Sequence, residues 1–284
     1  MRQEEESDRK ELEEAMREKM MDVDQLSWKP NKKQEAILNK VTQSFEEGIF
    51  YGIMGPNGSG KTSFIRHLLR FLEIQEGKIQ LKNQALHNYP RKALATYISF
   101  VPQNVNLEVD FTAYEIVAMG RTPYMKRLKS LSEEDEKIIE HAMQITHCKS
   151  LKERPFSYLS GGEAQRVLVA RAIAQDTKCL ILDEPISHLD IRYQVEIMET
   201  LKYLNEKEGK TIIAILHDLN LCAAYCKQVV LMNKGEIYAS GSVEKVLTKE
   251  HLKAVYEMNF EIYEQTDRKQ KFYIPLTSSW IEKK

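Results

Sequence analysis

The sequence predicts an α/β fold built on a mainly parallel sheet with helices on both faces, and two observations carry that expectation. Short apolar runs suited to buried strands alternate along the chain with amphipathic helical stretches. One such run, Ile49–Met54, leads through a glycine-rich turn directly into the amphipathic stretch Thr62–Leu72.

Taken in order, residues 1–21 are dominated by Glu, Arg and Lys. Beyond Met1 only Leu12, Ala15, Met16, Met20 and Met21 are apolar, so this extension reads as a solvated helix or tail, with partner docking as the sharper alternative. The folded domain is expected over 22–260, and 261–284 reads as a C-terminal segment. Tyr97–Val101 is the next strand run. Thr112–Met119 and Glu133–Thr146 have helical spacing and place a helical insertion over 105–159. Glu163–Ala174 is a further helix, with Val167, Ala170 and Ala174 on one face. Strand signals return at Cys179–Leu182, Thr211–Leu216 and Val229–Met232.

Hydrophobic residues make up 42% and charged residues 29% of the chain, as in a folded, water-soluble protein. Lys and Arg number 41 against 42 Asp and Glu, a net charge of −1 that lacks the basic excess of a nucleic-acid binder. Apolar runs such as Ile212–Leu216 fall far short of the roughly 20 residues that cross a bilayer. The polar, acidic start Met1–Lys10 does not read as a secretory signal. The expected location is therefore the cytosol, with any membrane role supplied by a partner. Cys148, Cys179, Cys222 and Cys226 follow neither metal nor disulfide spacing and read as reduced core residues.

Gly55-Pro56-Asn57-Gly58-Ser59-Gly60-Lys61-Thr62 has the P-loop spacing of a glycine, four residues, then Gly-Lys-Thr. The chemistry needs that order. Glycines let the backbone turn tightly and bare its N–H groups to phosphate oxygens, and the helix that follows adds its positive end. Lys61 supplies a full charge to the β- and γ-phosphates, and the Thr62 hydroxyl can ligate Mg²⁺. Ser63 completes the candidate nucleotide set. A nucleotide's phosphates and Mg²⁺ are thus the expected ligands, although a P-loop alone leaves kinases, GTPases, helicases and transporters open.

Cys179–Leu182 ends in Asp183 and Glu184, and strand ends in such sheets are where ligands sit. Asp183 is the candidate metal holder and Glu184 the candidate base that polarises the attacking water.

Leu159-Ser160-Gly161-Gly162-Glu163, which opens the helix carrying Gln165 and Arg166, resembles the signature sequence of ABC ATPases. A serine hydroxyl and glycine N–H groups at a helix start form a second anion site. The resemblance extends over 22–250. It implies the ABC ATPase form of the P-loop NTPase fold: a mainly parallel core with an antiparallel β portion and an inserted helical subdomain. It also implies a head-to-tail homodimer, in which the Ser160–Glu163 loop of one copy faces ATP held by the other. In the same family pattern Gln103 looks like the Q-loop glutamine, touching Mg²⁺ and water. Ser187-His188-Leu189-Asp190 resembles the D-loop, and His217 the switch histidine at the γ-phosphate. Trp28 occupies the position of the adenine-stacking aromatic, with simple packing as the rival reading.

Tyr97–Gln103, Tyr114–Tyr124 and His217–Asn220 followed by Leu221 are similar to the importer ATPases that serve ferric siderophores, haem or cobalamin. That likeness implies a peripheral subunit on the cytoplasmic side of the membrane. It would bind integral-membrane permease subunits and depend indirectly on an extracytoplasmic substrate-binding protein. A ferric siderophore is the first choice of cargo. A soluble ABC ATPase that drives assembly or remodelling is the alternative. A DNA-repair or translation ABC protein fits less well, because each motif occurs once and the insertion is short.

Overall fold

The computed structural model describes residues 18–31, 34–103, 111–126, 130–187, 189–265 and 270–276. The expected helix or tail over 1–17, and His188 of the D-loop, lie outside them. In chain order the first elements are β1 (Lys19–Trp28), β2 (Leu38–Glu46), β3 (Phe50–Met54), α1 (Lys61–Leu68), β4 (Glu76–Leu81) and β5 (Gln84–Ala85). There follow α2 (Arg91–Tyr97), β6 (Ile98–Val101), α3 (Ala113–Ala118), α4 (Glu133–Ile145), α5 (Gly161–Ala174) and β7 (Cys179–Leu182). The rest comprises α6 (Ile191–Glu208), β8 (Thr211–Ile215), α7 (Leu219–Tyr225), β9 (Gln228–Asn233), β10 (Glu236–Ser242), α8 (Val243–Val246), α9 (Lys249–Tyr256), β11 (Phe260–Gln265) and β12 (Gln270–Pro275).

The main sheet runs β10-β9-β3-β8-β7-β6. It is parallel from β9 to β6, with only β10 antiparallel. Its central strands are buried on both faces, and side-chain alternation sorts them into two cores. Phe50, Met54, Ile212, Ala214 and Leu182 pack with α5 and α6 residues such as Val169 and Leu201. Tyr51, Ile53, Ile213 and Ile215 face the opposite way, joining Phe64 and Ile65 of α1. That second core is closed by an antiparallel sheet ordered β2-β1-β4-β5, which contributes Val23, Phe45 and Ile79.

The antiparallel sheet corrects the expected domain boundary. Residues 19–21, read as part of the charged extension, already belong to β1, and Met20 and Met21 are both fully buried. An irregularity in pairing between Lys19 and Met21 turns two consecutive side chains inward, which erases the alternation that marks a strand. Three smaller shifts accompany it. Tyr97 ends α2 instead of starting β6; α1 stops at Leu68, with Arg70 close behind in a left-handed conformation (φ 56°); and β11 begins at Phe260, across the expected 260/261 boundary.

In the insertion and just after it, α3, α4 and α5 each start with a capping box, Thr112 with Glu115, Ser132 with Asp135, and Ser160 with Glu163. Arg121, buried beneath them, donates to Asp135 at the start of α4 (2.8 Å) and to the Ala174 carbonyl at the end of α5 (2.9 Å). Hydrogen bonds from Ser132, with Arg121 behind them, hold the Asp135 carboxyl down at about 2.

Met21→Ala should lower stability by about 2–5 kcal/mol, the usual cost of emptying a buried methionine site. Urea unfolding would read this as a lower midpoint, whereas a solvated tail would leave the midpoint unchanged.

Candidate functional site

Four parallel strands deliver their C-terminal ends to one edge of the sheet. The loop Gly55–Gly60 follows β3, Gln103 comes two residues after β6, Asp183 and Glu184 follow β7, and His217 comes two residues after β8. Because β8 lies between β3 and β7, the phosphate loop, the histidine and the carboxylates are brought side by side.

The loop's shape is enforced by its surroundings. Gly55 has φ +143°, and a Cβ there would lie 2.2 Å from the Met232 carbonyl and 2.8 Å from the Ser59 hydroxyl. At Gly60, φ +98°, a Cβ would meet the Ile37 carbonyl at 2.9 Å. Gly58 also has a positive φ, +79°, but faces open space. Lys61 curls back over the loop and donates to the Gly55 and Pro56 carbonyls at 2.8 and 2.9 Å. Burial lowers its pKa, and the nearby charges of Glu184 and Asp183 oppose that fall. The Ser59 hydroxyl is buried with no hydrogen-bond partner among the described residues, while Asn57 is exposed. Thr62 and Ser63 stand half-buried in the first turn of α1.

Thr62 donates to Asp183 at 3.3 Å. Burial, and then the adjacent Glu184 charge, raise the Asp183 carboxyl above its ordinary value. Hydroxyl and carboxylate oxygens form a hard donor set that fits Mg²⁺, and a cation would relieve the buried negative charge. Glu184 sits in a left-handed turn, φ 50°, a strained conformation for a residue with a side chain. Its carboxylate is clasped from both sides, by Gln103 Nε2 at 2.7 Å and by His217 Nε2 at 2.6 Å. The three candidate catalytic residues therefore form one unit. Gln103, expected at the metal, spends its amide N–H on this carboxylate, which leaves its amide oxygen available to a cation.

Trp28, at the end of β1, is half-buried and packs edge-on against His67 of α1 at 5.3 Å between ring centroids. Its carbonyl accepts the Ile37 N–H, and Ile37 is the residue pressed against Gly60. The ring thus lies along the flank of the phosphate loop's helix, which is compatible with both readings made of it.

The signature segment is built separately. Ser160 and Gly161 are exposed, and Gly161 has nothing within 4 Å of a Cβ position. Gly162 is needed for the opposite reason, because a Cβ there would meet the Tyr193 ring at 2.7 Å. Glu163 is committed within its own chain, to the Ser160 N–H and hydroxyl (both 2.9 Å) and to Arg154 (3.0 Å). Asp190 stands exposed ahead of α6 with no capping bond of its own. Residue patterns single out none of Met232, Ile37, Tyr193 or Arg154. The first three act by backbone proximity or by shape from distant parts of the chain, and Arg154 by its charge.

Against known proteins, the ABC transporter family profile matches residues 38–187. The chain belongs to the ABC transporter ATPases. It is 34% identical over 226 residues to the iron(3+)-hydroxamate import ATP-binding protein FhuC of Bacillus subtilis, covering 80% of this chain and 84% of the relative. One solved structure, the inward-facing conformation of an ABC transporter described as of metal-chelate type, matches with a TM-score of 0.80 at 26% identity. That match covers 92% of this chain and 98% of the other. A dimeric ATP-binding cassette in a post-hydrolysis state, bound to ADP and Pi, matches with a TM-score of 0.70 at 27% identity, covering 79% and 99%. This ABC ATPase therefore binds nucleotide and hydrolyses ATP.

Gly55→Ala in the ATPase should abolish nucleotide binding, because the new methyl would be driven into the Met232 backbone carbonyl, which cannot turn aside as a flexible side chain can. Gly58→Ala should cost about 1–2 kcal/mol for its left-handed backbone and retain most binding. Titration with a fluorescent ATP analogue compares the two.

Proposed function

We propose that two copies of this ABC ATPase drive import of a ferric chelate, a siderophore complex by preference, through a separate permease at the cytoplasmic face of the membrane. The carrying observation is the split of anion-binding groups. Lys61 and its loop stand at one sheet edge beside Glu184, while Ser160 and Gly161 open to solvent from a separate helix start. A head-to-tail second copy supplies what each half lacks. In support, FhuC is by name an iron(3+)-hydroxamate importer subunit, and a structurally similar cassette is dimeric. Among the described residues no helix is long and apolar enough to cross a membrane, so the pore falls to a partner.

In this reading Trp28 stacks on the base. The N–H groups of Gly58–Thr62 and the Lys61 ammonium hold the phosphates, and Ser160 and Gly161 of the second copy close over the γ-phosphate. Thr62 and Asp183 would hold Mg²⁺, which would supply charge neutralisation to the phosphates. Glu184 takes a proton from the attacking water as the Pγ–O bond to the ADP leaving group breaks. Gln103 and His217 keep its carboxylate aimed, and His217 is the group assigned to donate to the γ-phosphate. Closure is favoured only while the γ-phosphate bridges both copies.

The permease contact is proposed at a groove of about 600 Å³ between the sheet edge and the helical insertion. Phe71, Leu94, Phe100 and Met119 give it an apolar lining, and Arg70, Arg91 and Arg171 give it charge.

Glu184→Gln should keep ATP binding, lose about two orders of magnitude or more in kcat, and trap an ATP-dependent dimer on size-exclusion chromatography. Lys61→Ala should weaken nucleotide binding itself. Full turnover in both would move the chemistry elsewhere. For the transport role, ferric-siderophore-dependent growth should fail in cells carrying only Glu184→Gln, and co-purification should recover a polytopic membrane protein. Recovery of a soluble assembly partner instead would favour the remodelling alternative.

A further inference from the structure

His217 leaves β8 and is followed at once by α7. Asp218 caps that helix by accepting the Asn220 and Leu221 N–H groups at 2.7 and 2.9 Å. Whatever fixes α7 therefore fixes the histidine against Glu184. Asparagine near a helix start usually serves as a cap, but Asp218 already fills that place. The Asn220 amide is spent on the C-terminal hairpin instead. Its Oδ1 accepts the Tyr273 N–H at 2.8 Å, and its Nδ2 donates to the Tyr273 carbonyl at 3.4 Å. One side chain thus takes the place of a third strand along β12, whose only strand partner among the described residues is β11.

The hairpin is well seated. Tyr273 is only 2% exposed, and Tyr256 of α9 meets Phe260 of β11 edge-on at 6.0 Å. The Tyr256 hydroxyl in turn lies against the backbone of Gly55, the first residue of the phosphate loop. The hairpin consequently reaches the nucleotide edge through α7, the helix behind His217, while α9, packed on β11, borders the phosphate loop.

We propose that the β11–β12 hairpin, acting through Asn220, is a positioning element for ATP hydrolysis that holds α7 so that His217 keeps its 2.6 Å contact with Glu184. Asn220 is a positioning residue, since it touches neither nucleotide nor water in this scheme. The inference rests on the roles given to Glu184 and His217 above.

The test is steady-state ATP hydrolysis by full-length Asn220→Ala, with nucleotide affinity measured separately. We expect kcat to fall about tenfold or more, as for other small displacements of a catalytic group. KM and nucleotide affinity should stay within about twofold, because phosphate binding is left intact. Asn220→Asp, which keeps the acceptor for the Tyr273 N–H, should recover most of the lost rate. Wild-type kcat in Asn220→Ala overturns the proposal, and so does a loss confined to KM. Should that variant not fold, Asn220→Ser, whose hydroxyl is too short to span both partners, must show the same selective loss, and wild-type turnover in it is equally fatal. His217→Ala run in parallel separates the two readings. Normal turnover there removes the histidine from the site, whereas an inactive His217→Ala beside an unimpaired Asn220→Ala removes only the hairpin's role.

Discussion

The parallel register of β3, β8, β7 and β6 is the constraint on which everything else depends. Strands buried on both faces cannot slip by a residue without exchanging the two cores, since Ile212 and Ile213 point to opposite sides and each is fully buried. Fixing the register fixes where the strands end. A lysine-bearing loop, a carboxylate pair, a glutamine and a histidine are brought together by apolar packing that involves none of them. The polar site inherits its precision from the core.

That inheritance also accounts for strain at the edge. Glu184 occupies a left-handed turn, and Lys61 is desolvated, at positions a freer chain would avoid. The surrounding sheet over-determines both. Clasping Glu184 between Gln103 and His217 turns three residues from three strands into one device, so a disturbance to any of those strands is felt at the same carboxylate.

Much of this was legible in the sequence because the relevant signals are local. The Gly55–Thr62 loop, the run into Asp183 and Glu184, and the Ser160–Gly162 turn each carry their chemistry within a few consecutive residues, and strand–loop–helix context identifies them. The alternation of apolar runs gave the parallel core. What escaped was long-range. Met20 and Met21 are buried side by side by a break in strand pairing, so their strand shows no period of two. Gly55 is required by a carbonyl at Met232 and Gly162 by the ring of Tyr193, neighbours that only folding supplies. Gln103 has its place in the motif series, yet its partner in the structure is Glu184, a pairing set by the adjacency of β6 and β7.

The buried guanidinium of Arg121 carries a mechanical implication. It binds the end of α5 to the start of α4, and neighbouring Gly120 lies so close to α5 that a Cβ would sit 2.3 Å from the Arg171 carbonyl. Gly120 also lines the proposed permease groove, while Ser160 caps the far end of the same helix. A 14-residue helix is about 21 Å long. With its near end tied to the insertion through Arg121, α5 is built as a stiff rod, so that a tilt imposed at the groove would also displace the serine tip.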